Sequence, residues 1–322
     1  MKKLLLSAAA CVSVGALCAP AFASHDTKPA AANPAAGAAQ AARPDADPAM
    51  WVVKDADTTI YLFGTFHMLD GKRDWLNDEV KAAFDKSSEL VFEADIPGDP
   101  AQQQAAMGPI VMRYAVDPSG RTLSSRLSKE ENDRLAKALS SLGAPAAAFD
   151  QFEPWFVGMT LSALAAQKLG LTPEHGAEEV LKAAAKPRNL PIGELEGAEM
   201  QMRMLDAIPE PLQLAFVRES LAYMDKLGTV VTPMQAAWYD GNVDELVRLM
   251  NESLRNTPEL YDILLSKRNA AWADWIDKRM DKPGTVFVAV GAGHLAGRDS
   301  VQDYLRQRGI ASERVKQAKS TS

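Results

Sequence analysis

Two of the four histidines in this 322-residue chain stand three residues after a glycine, at the end of an apolar segment. Gly64-Thr-Phe-His67 follows Thr59–Phe63, and Gly291-Ala-Gly-His294 follows Thr285–Val290. Runs of β-branched and aromatic residues of this kind are typical of buried strands. A glycine at the strand exit lets the backbone turn sharply or approach a ligand closely. Since open sheets bind ligands at the carboxyl ends of their strands, we expect both imidazoles to face one cleft.

Glutamates follow two further candidate strands. Glu93 ends the run that starts at Leu90, and Glu196 ends the run that starts near Asn189. Two imidazoles and one or two carboxylates suit a divalent transition metal, which can lower the pKa of a bound water and polarise a carbonyl. We therefore predict that His67, His294 and Glu93 bind a metal and that Glu196 assists as ligand or base. Glu194 is the less suitable choice, because strand alternation sends it to the other face.

Other interpretations of these residues remain open. Read singly, a strand-end histidine or glutamate is also typical of a structural turn or a solvated strand end. The spacing Gly291-Ala-Gly293-x-x-x-Gly297 resembles a dinucleotide fingerprint, but Glu313 would start the next strand rather than end it. No Gly-x-Ser-x-Gly nucleophile elbow occurs, and His175-Gly-Ala-Glu-Glu matches neither common helical zinc motif. For His175 the default role is local hydrogen bonding or capping at a helix start.

The segments around these residues predict an α/β (mixed α+β) fold with a central mixed sheet flanked by helices. A hairpin at Trp51–Phe63 leads through a helix at Asn77–Ser87 to a strand at Leu90–Asp95, which is the order of a parallel crossover. The middle of the chain is helical, and the apolar helix Pro154–Leu169 is expected to be buried against the sheet as one wall of the cleft. A long helix at Pro258–Met280 carries Arg268 and precedes the second Gly-x-x-His strand.

The front of the chain has the pattern of a secretory signal at residues 1–23, with cleavage expected after Ala23. Both cysteines, Cys11 and Cys18, lie inside it, so the mature chain can form no disulfide. Leu17 stands where a lipidation motif requires a small residue, which makes Cys18 a poor candidate for a lipid anchor. Residues 24–49 are predicted to be a disordered Ala/Pro-rich linker, and residues 50–322 the folded domain.

The net charge and the hydropathy of the chain make some classes of binding partner poor candidates. The formal net charge is −7, which makes nucleic acid and anionic membranes poor candidates. No segment of the mature chain is long and apolar enough to be predicted as a membrane span. Because the signal at residues 1–23 has a bacterial pattern, the predicted location is the periplasm or the outside of the cell. The oligomeric state stays open.

Taken together, the motifs resemble the TraB/PrgY/GumN family, to which the Tiki metalloproteases are related. The resemblance rests on the two Gly-x-x-His motifs, Glu93, His175-Gly-Ala-Glu-Glu, Gly193-Glu-Leu-Glu196-Gly and Arg268-Asn269. Gly197 stands where the family usually has threonine or serine, so a hydroxyl is missing there. The resemblance implies a mixed α/β fold whose paired motifs face one cleft. In the Tiki relatives those motifs, with a glutamate, support metal-dependent peptide cleavage, with manganese or cobalt favoured.

The expected function is a secreted or periplasmic hydrolase that cleaves peptide bonds of a peptide or protein substrate. It would use manganese, cobalt or zinc held by His67, His294 and Glu93. Arg268 would stabilise the developing oxyanion or pair with a carboxylate of the site or substrate. The alternative is a non-catalytic protein that binds or sequesters a peptide, a metal or haem in the same cleft.

Overall fold

The structure, a computed structural model, describes residues 43–251, 254 and 256–316. The predicted signal at 1–23, with Cys11 and Cys18, lies outside the described residues, as do residues 24–42 of the predicted linker. Residues 43–49, which the sequence analysis assigned to that linker, contact the folded part. The backbone N–H of Ala46 donates to the carbonyl of Asp74 at 2.9 Å, and that of Asp47 donates to Tyr239 at 2.7 Å.

A six-stranded mixed sheet forms the centre of the molecule. In chain order its strands are β1 (Met50–Lys54), β2 (Thr58–Thr65), β3 (Glu89–Phe92), β4 (Ile192–Glu194), β5 (Gly284–Gly291) and β6 (Glu313–Arg314). The spatial order is β4-β3-β5-β2-β1-β6. The strands β4, β3, β5 and β2 run parallel, and β1 runs antiparallel to both of its neighbours. The predicted mixed sheet is therefore confirmed.

Helices flank the sheet. They are α1 (Asp78–Lys86), α2 (Pro100–Tyr114), α3 (Lys129–Ser141), α4 (Pro154–Lys168), α5 (Ala177–Ala185), α6 (Ala198–Asp206), α7 (Glu210–Tyr223), α8 (Leu227–Tyr239), α9 (Val243–Leu246), α10 (Pro258–Tyr261), α11 (Lys267–Met280) and α12 (Val301–Gln307). Single π-helical turns follow α9 at Val247–Asn251 and α10 at Asp262–Ser266.

Local chemistry explains the first elements. The carboxylate of Asp55 accepts hydrogen bonds from the backbone N–H groups of Asp57 and Thr58, which closes the hairpin between β1 and β2. Helix α1 then buries Val80, Ala83 and Phe84 on one face and returns the chain to β3. This helix links β2 to β3, which run parallel on either side of β5. The predicted parallel crossover is confirmed.

The sheet buries apolar side chains on both faces, as strand alternation requires. One face contributes Phe63, Phe92 and Phe287 to the largest core. The other face contributes Ile60 and Leu62 to a core that helices α11 and α12 cover. This two-sided burial explains why β2 and β5 are apolar at successive positions.

Helix α4 is buried nearly all round, as predicted, and its Trp155, Phe156 and Met159 belong to the same core as Phe63 and Phe287 of the sheet. It packs against α7 and, to a lesser degree, α8. One side of α4 lies in a helical core built around Leu139, Phe149, Val157 and Leu161. The apolar circumference of α4 is therefore divided between the core that includes the sheet and this helical core. Among the described residues no helix is long and apolar enough to cross a bilayer.

Candidate functional site

The carboxyl ends of β2, β5 and β3 meet at one edge of the sheet. The register pairs Gly64 with Val290 and Thr65 with Gly291, so both Gly-x-x-His motifs leave the sheet side by side. A Cβ atom on Gly64 would lie 3.1 Å from the Cα of Ala292, which leaves little room for any other residue there. Because β3 lies on the other side of β5, Glu93 follows its strand at the same edge.

His67 is held by a glutamate from the start of α5. Its Nδ1 lies 2.7 Å from Oε1 of Glu178. Because an ionised carboxylate only accepts hydrogen bonds, Nδ1 carries the proton and donates it. In the neutral ring Nε2 therefore carries the free lone pair. This Nε2 is buried and has no hydrogen-bond partner within the described part of the chain.

The pKa of His67 is raised above its ordinary value. Burial alone would lower the pKa. The charge of Glu178, its hydrogen bond with Nδ1 and the charge of Glu93 together outweigh burial, so the net change of the pKa is upward. The same pairing lowers the pKa of the Glu178 carboxyl against the effect of its burial. Pairing with Glu178 thus makes the protonated form of His67 more stable in the protein than it is in water.

Arg268, in the first turn of α11, joins the two strand-end glutamates. Its Nη2 donates to Oε2 of Glu93 at 2.7 Å and to Oε2 of Glu196 at 2.9 Å, and its Nε donates to Oε1 of Glu196 at 2.9 Å. All three side chains are at most 6% exposed. Burial would raise the pKa of Glu93, but chiefly the charge of Arg268, together with that of His67 and the hydrogen bond from the Gly291 N–H, lowers it to about 2.

His294 is locked in one neutral tautomer. The amide of Asn269 donates through Nδ2 to the carbonyl of Asp299, so its Oδ1 is the atom that faces His294 Nδ1, at 2.6 Å. The proton of the ring is therefore on Nδ1. Its Nε2 then accepts from Nη1 of Arg268, which lies 3.0 Å away and can only donate. His294 is fully buried, and its ring lies on that of Trp272 with centroids 4.3 Å apart.

Both π-helical turns position parts of this cluster. The first ends at Asn251, whose Nδ2 donates to the carbonyls of Gly293 and Ala296 at 2.9 Å each and so holds the second motif in place. The second turn directly precedes α11 and presents Arg268, whose Nη1 also donates to the carbonyl of Leu264. Single π turns of this kind occur frequently at functional sites.

The donor atoms, as arranged, do not fit a divalent metal. The lone pair of His294 Nε2 points at Arg268, and both oxygens of Glu196 accept from Arg268. Oε1 of Glu93 accepts from Gly291 N–H at 2.6 Å. Of the predicted nitrogen ligands only His67 Nε2 is unpartnered, and the described residues contain no group of three or more side chains arranged to hold a metal.

The structure brings all five predicted site residues to one edge of the sheet: His67, Glu93, Glu196, Arg268 and His294. Arg268 contacts three of them directly, and His67 is close enough for Glu93 and Arg268 to influence its pKa. Glu196 is buried in the cluster. Glu194, by contrast, points to the exposed edge, where it accepts from the backbone N–H of Asp95.

Sequence reasoning gave no role to several residues of this cluster. Glu178 and Asn269 lay inside quoted motifs, and their types, a carboxylate and an amide, are those that orient an imidazole. Trp272 donates to Glu196 at 2.9 Å, and Gln201 donates to Glu93 at 3.2 Å. No sequence signal pointed to these last two. His175 is exposed and lies outside the cluster, with its ring packed over Gly71.

Comparison with known proteins agrees with this architecture. The model of the TraB/PrgY/gumN family matches residues 49–314. Uncharacterized protein YbaP of Escherichia coli strain K12 is 30% identical over 261 residues, which cover 80% of this chain and 92% of that protein. YbaP of Shigella flexneri gives the same identity and coverage.

A more distant relative comes from Treponema pallidum strain Nichols. This uncharacterized protein is 27% identical over 283 residues, which cover 80% of each chain. No solved structure gives a significant match. Since the family model covers nearly all of the described fold, the chain belongs to the TraB/PrgY/gumN family.

Proposed function

We propose that this protein is a hydrolase that cleaves peptide bonds with His67 as the general base. The observation that carries the proposal is the orientation of His67, whose Nδ1–H is held by Glu178 at 2.7 Å while Nε2 is left without a partner. A histidine oriented by a carboxylate is a common arrangement for proton transfer in hydrolases. Two Gly-x-x-His strand ends bring this pair beside a buried charged cluster.

The proposed step uses only atoms of the substrate, one water and His67. The neutral Nε2 takes a proton from the water as the water oxygen forms a bond to the carbonyl carbon. When the carbon–nitrogen bond breaks, the Nε2–H of the imidazolium returns that proton to the departing amine. Glu178 stabilises the imidazolium between these two events, because its carboxylate lies against Nδ1–H.

Arg268 and Glu196 are positioning residues in this proposal. The five N–H groups of Arg268 all donate to protein acceptors, so none is available to the oxyanion of a substrate in this arrangement. Arg268 instead pairs with Glu93 and Glu196. Pairing with a carboxylate of the site was the second of the two roles that the sequence predicted for it. Metal dependence stays a sequence prediction and forms no part of the proposed step. The extracytoplasmic location rests on the signal predicted at residues 1–23.

The proposal is tested with purified protein and a library of unstructured peptides. His67→Ala should reduce turnover by about 10²–10⁴-fold, the usual contribution of a general base. His175→Ala is the matched control, since His175 is an exposed histidine outside the cluster, and it should leave turnover unchanged. Peptides that are not cleaved at any pH from 5 to 9, with or without added manganese, cobalt or zinc, would exclude the hydrolase.

Glu178→Gln provides a sharper test than loss of activity. Glutamine keeps an acceptor for Nδ1–H but removes the charge that raises the pKa of His67. Because His67 must be neutral to accept a proton, turnover rises with pH as the ring loses its proton. The variant should therefore be slower, and the rising limb of its pH profile should move to lower pH. An unmoved limb would remove His67 from the role of base.

A second candidate function is non-catalytic binding of a peptide in the same cleft. Two observations favour it. The polar groups of the cluster form most of their hydrogen bonds with one another, and the side chain of His67 is only 10% exposed. The His67→Ala, His294→Ala pair separates the two functions. If the protein is an enzyme, the double variant loses turnover while its peptide affinity changes little. If the protein only binds a peptide, the wild-type protein binds the peptide without cleaving it.

A further inference from the structure

The buried cluster at the sheet edge already contains a cation. The guanidinium of Arg268 lies among Glu93, Glu196 and His294 and is hydrogen-bonded to all three. Its fork is planar and permanently charged, and it reaches three acceptors in different directions. A divalent metal placed among the same side chains would need the lone pairs that now accept from Arg268.

His294 shows most clearly that the two cations exclude each other. Its Nδ1 carries the proton that is shared with Asn269, so only Nε2 can bind a metal. That atom lies 3.0 Å from Arg268 Nη1, and a nitrogen lone pair cannot serve a metal and an N–H donor together. The alternative tautomer would require the amide of Asn269 to reverse and to lose its 2.7 Å hydrogen bond to Asp299.

Charge leads to the same result. Glu93 and Glu196 bring two negative charges to the guanidinium, and both are almost fully buried. Buried carboxylates that lose their counterion are strongly destabilised. A metal added without removal of Arg268 would place two further positive charges beside it at short range, where water screens them poorly.

We propose that Arg268 is the resident cation of this site and competes with divalent metals for Glu93, Glu196 and His294. The protein as folded then binds no divalent metal in the cluster, and removal of the guanidinium creates a metal site from the residues left behind. Of these, His67 Nε2 is already free to act as an additional ligand. This inference concerns occupancy and does not depend on whether the cleft hydrolyses peptides.

The test compares wild-type protein with Arg268→Ala, using cobalt(II) and zinc(II) alone as probes. Cobalt bound by mixed nitrogen and oxygen ligands gives a visible absorption band, and metal per chain can be counted after gel filtration. We expect wild-type protein to show no band. The variant should bind one cobalt per chain at least about 100-fold more tightly, because it holds uncompensated buried carboxylates.

Two further samples keep the test decisive. Arg126→Ala is the matched control, since Arg126 is also buried between two carboxylates, and it should gain no cobalt band. Methylguanidinium added at millimolar concentration to Arg268→Ala should displace the cobalt by refilling the same position. In wild-type protein neither metals nor a chelator should change the midpoint of thermal unfolding.

The contrary results are equally definite. A wild-type protein that retains one metal per chain, and loses it in His67→Ala, His294→Ala, would overturn the inference. If Arg268→Ala folds, as judged by circular dichroism, and binds cobalt no better than wild-type protein, the competition does not exist. If Arg268→Ala does not fold, the wild-type metal count and Arg268→Lys decide, since lysine keeps one positive charge and should also exclude cobalt.

Discussion

Two arginines in the described part of the chain, Arg268 and Arg126, are buried between carboxylates, and Arg268 lies at the candidate site. Arg268 pairs with Glu93 and Glu196 at the carboxyl ends of the parallel strands. Arg126 pairs with Asp117 at 2.6 Å and with Glu153 at 2.8 Å, and its side chain is 4% exposed. By burial and charge alone the two clusters are difficult to distinguish.

Their neighbours differ. Arg126 ties a short turn and the loop at Asp117 to Glu153, the residue that precedes α4. Its Nε is buried without a hydrogen-bond partner among the described residues. Arg268, in contrast, donates through Nη1 to an imidazole, and a second imidazole with a free Nε2 lies nearby. A buried arginine–carboxylate cluster is therefore no sign of function by itself. Histidines of fixed tautomer at strand ends make the difference.

The largest expected effect is on stability, and it should be larger at Arg268. Arg268→Met leaves Glu93 and Glu196 buried without their counterion, which should cost about 3–5 kcal/mol of unfolding free energy. Arg126→Met should cost less, because Asp117 keeps its ion pair with Arg121. Urea unfolding followed by tryptophan fluorescence measures both. Turnover per folded molecule should then separate them, since only Arg268 positions the site.

The same two variants can also contradict the distinction between the two clusters. If Arg126→Met abolishes turnover while its fold stays intact by circular dichroism, the cluster of Arg126, Asp117 and Glu153 takes part in function. If Arg268→Met is stable to within about 1 kcal/mol of wild-type protein, its carboxylates must find other partners, which contradicts the buried-charge argument.

The next largest effect is a loss of stability when the pH is lowered. The ordinary pKa of Glu93 is 4.5, and in the folded protein it falls to about 2. The ionised form therefore stabilises the fold fully above pH 4.5, and this contribution is lost as the pH falls from 4.5 towards 2. The loss should be about 3 kcal/mol, at about 1.36 kcal/mol for each pKa unit.

The variants Glu93→Gln and Asp117→Asn show how much of this loss of stability in acid comes from the Arg268 cluster and how much from the Arg126 cluster. Burial raises the pKa of Asp117, but hydrogen bonds from Ser119 and the charges of Arg126 and Arg121 lower it overall. Glu93→Gln should be less stable than wild-type protein at pH 7, and the two stability curves should converge by pH 2. Asp117→Asn should show a smaller convergence. Parallel curves for Glu93→Gln would mean that its pKa is not lowered by folding.

Much of the sheet and of the site could be predicted because the relevant signals are local. The apolar segments before His67 and His294 predicted parallel strands that end at one edge, and the register of β2 with β5 confirms this. Asp55 and Asp57 marked a hairpin turn that is also present. Glu93 and Glu196 were selected by position after a strand, and both lie at that edge.

What escaped prediction depends on contacts between distant segments. Helix α4 is apolar on every side, and such a pattern cannot tell that α7 covers part of it. The two π turns have no sequence signature, although they position Asn251 and Arg268. The partner of each site residue is equally non-local, because Arg268 follows Glu93 by 175 residues. The sequence therefore did not show that the guanidinium of Arg268 lies among Glu93, Glu196 and His294.

The smallest expected effect compares two tryptophans that are each 1% exposed. The indole N–H of Trp272 donates to Glu196 at 2.9 Å, whereas that of Trp155, in α4, is buried without a partner among the described residues. Replacement by phenylalanine removes similar volume from both sites. Only at Trp272 does it also remove a hydrogen bond to a charged acceptor, which is worth about 1.5–3 kcal/mol. Trp272→Phe should therefore be destabilised by that much more than Trp155→Phe in urea unfolding at pH 7. Equal losses at both positions would show that Glu196 does not depend on the indole, and that Arg268 alone balances its charge.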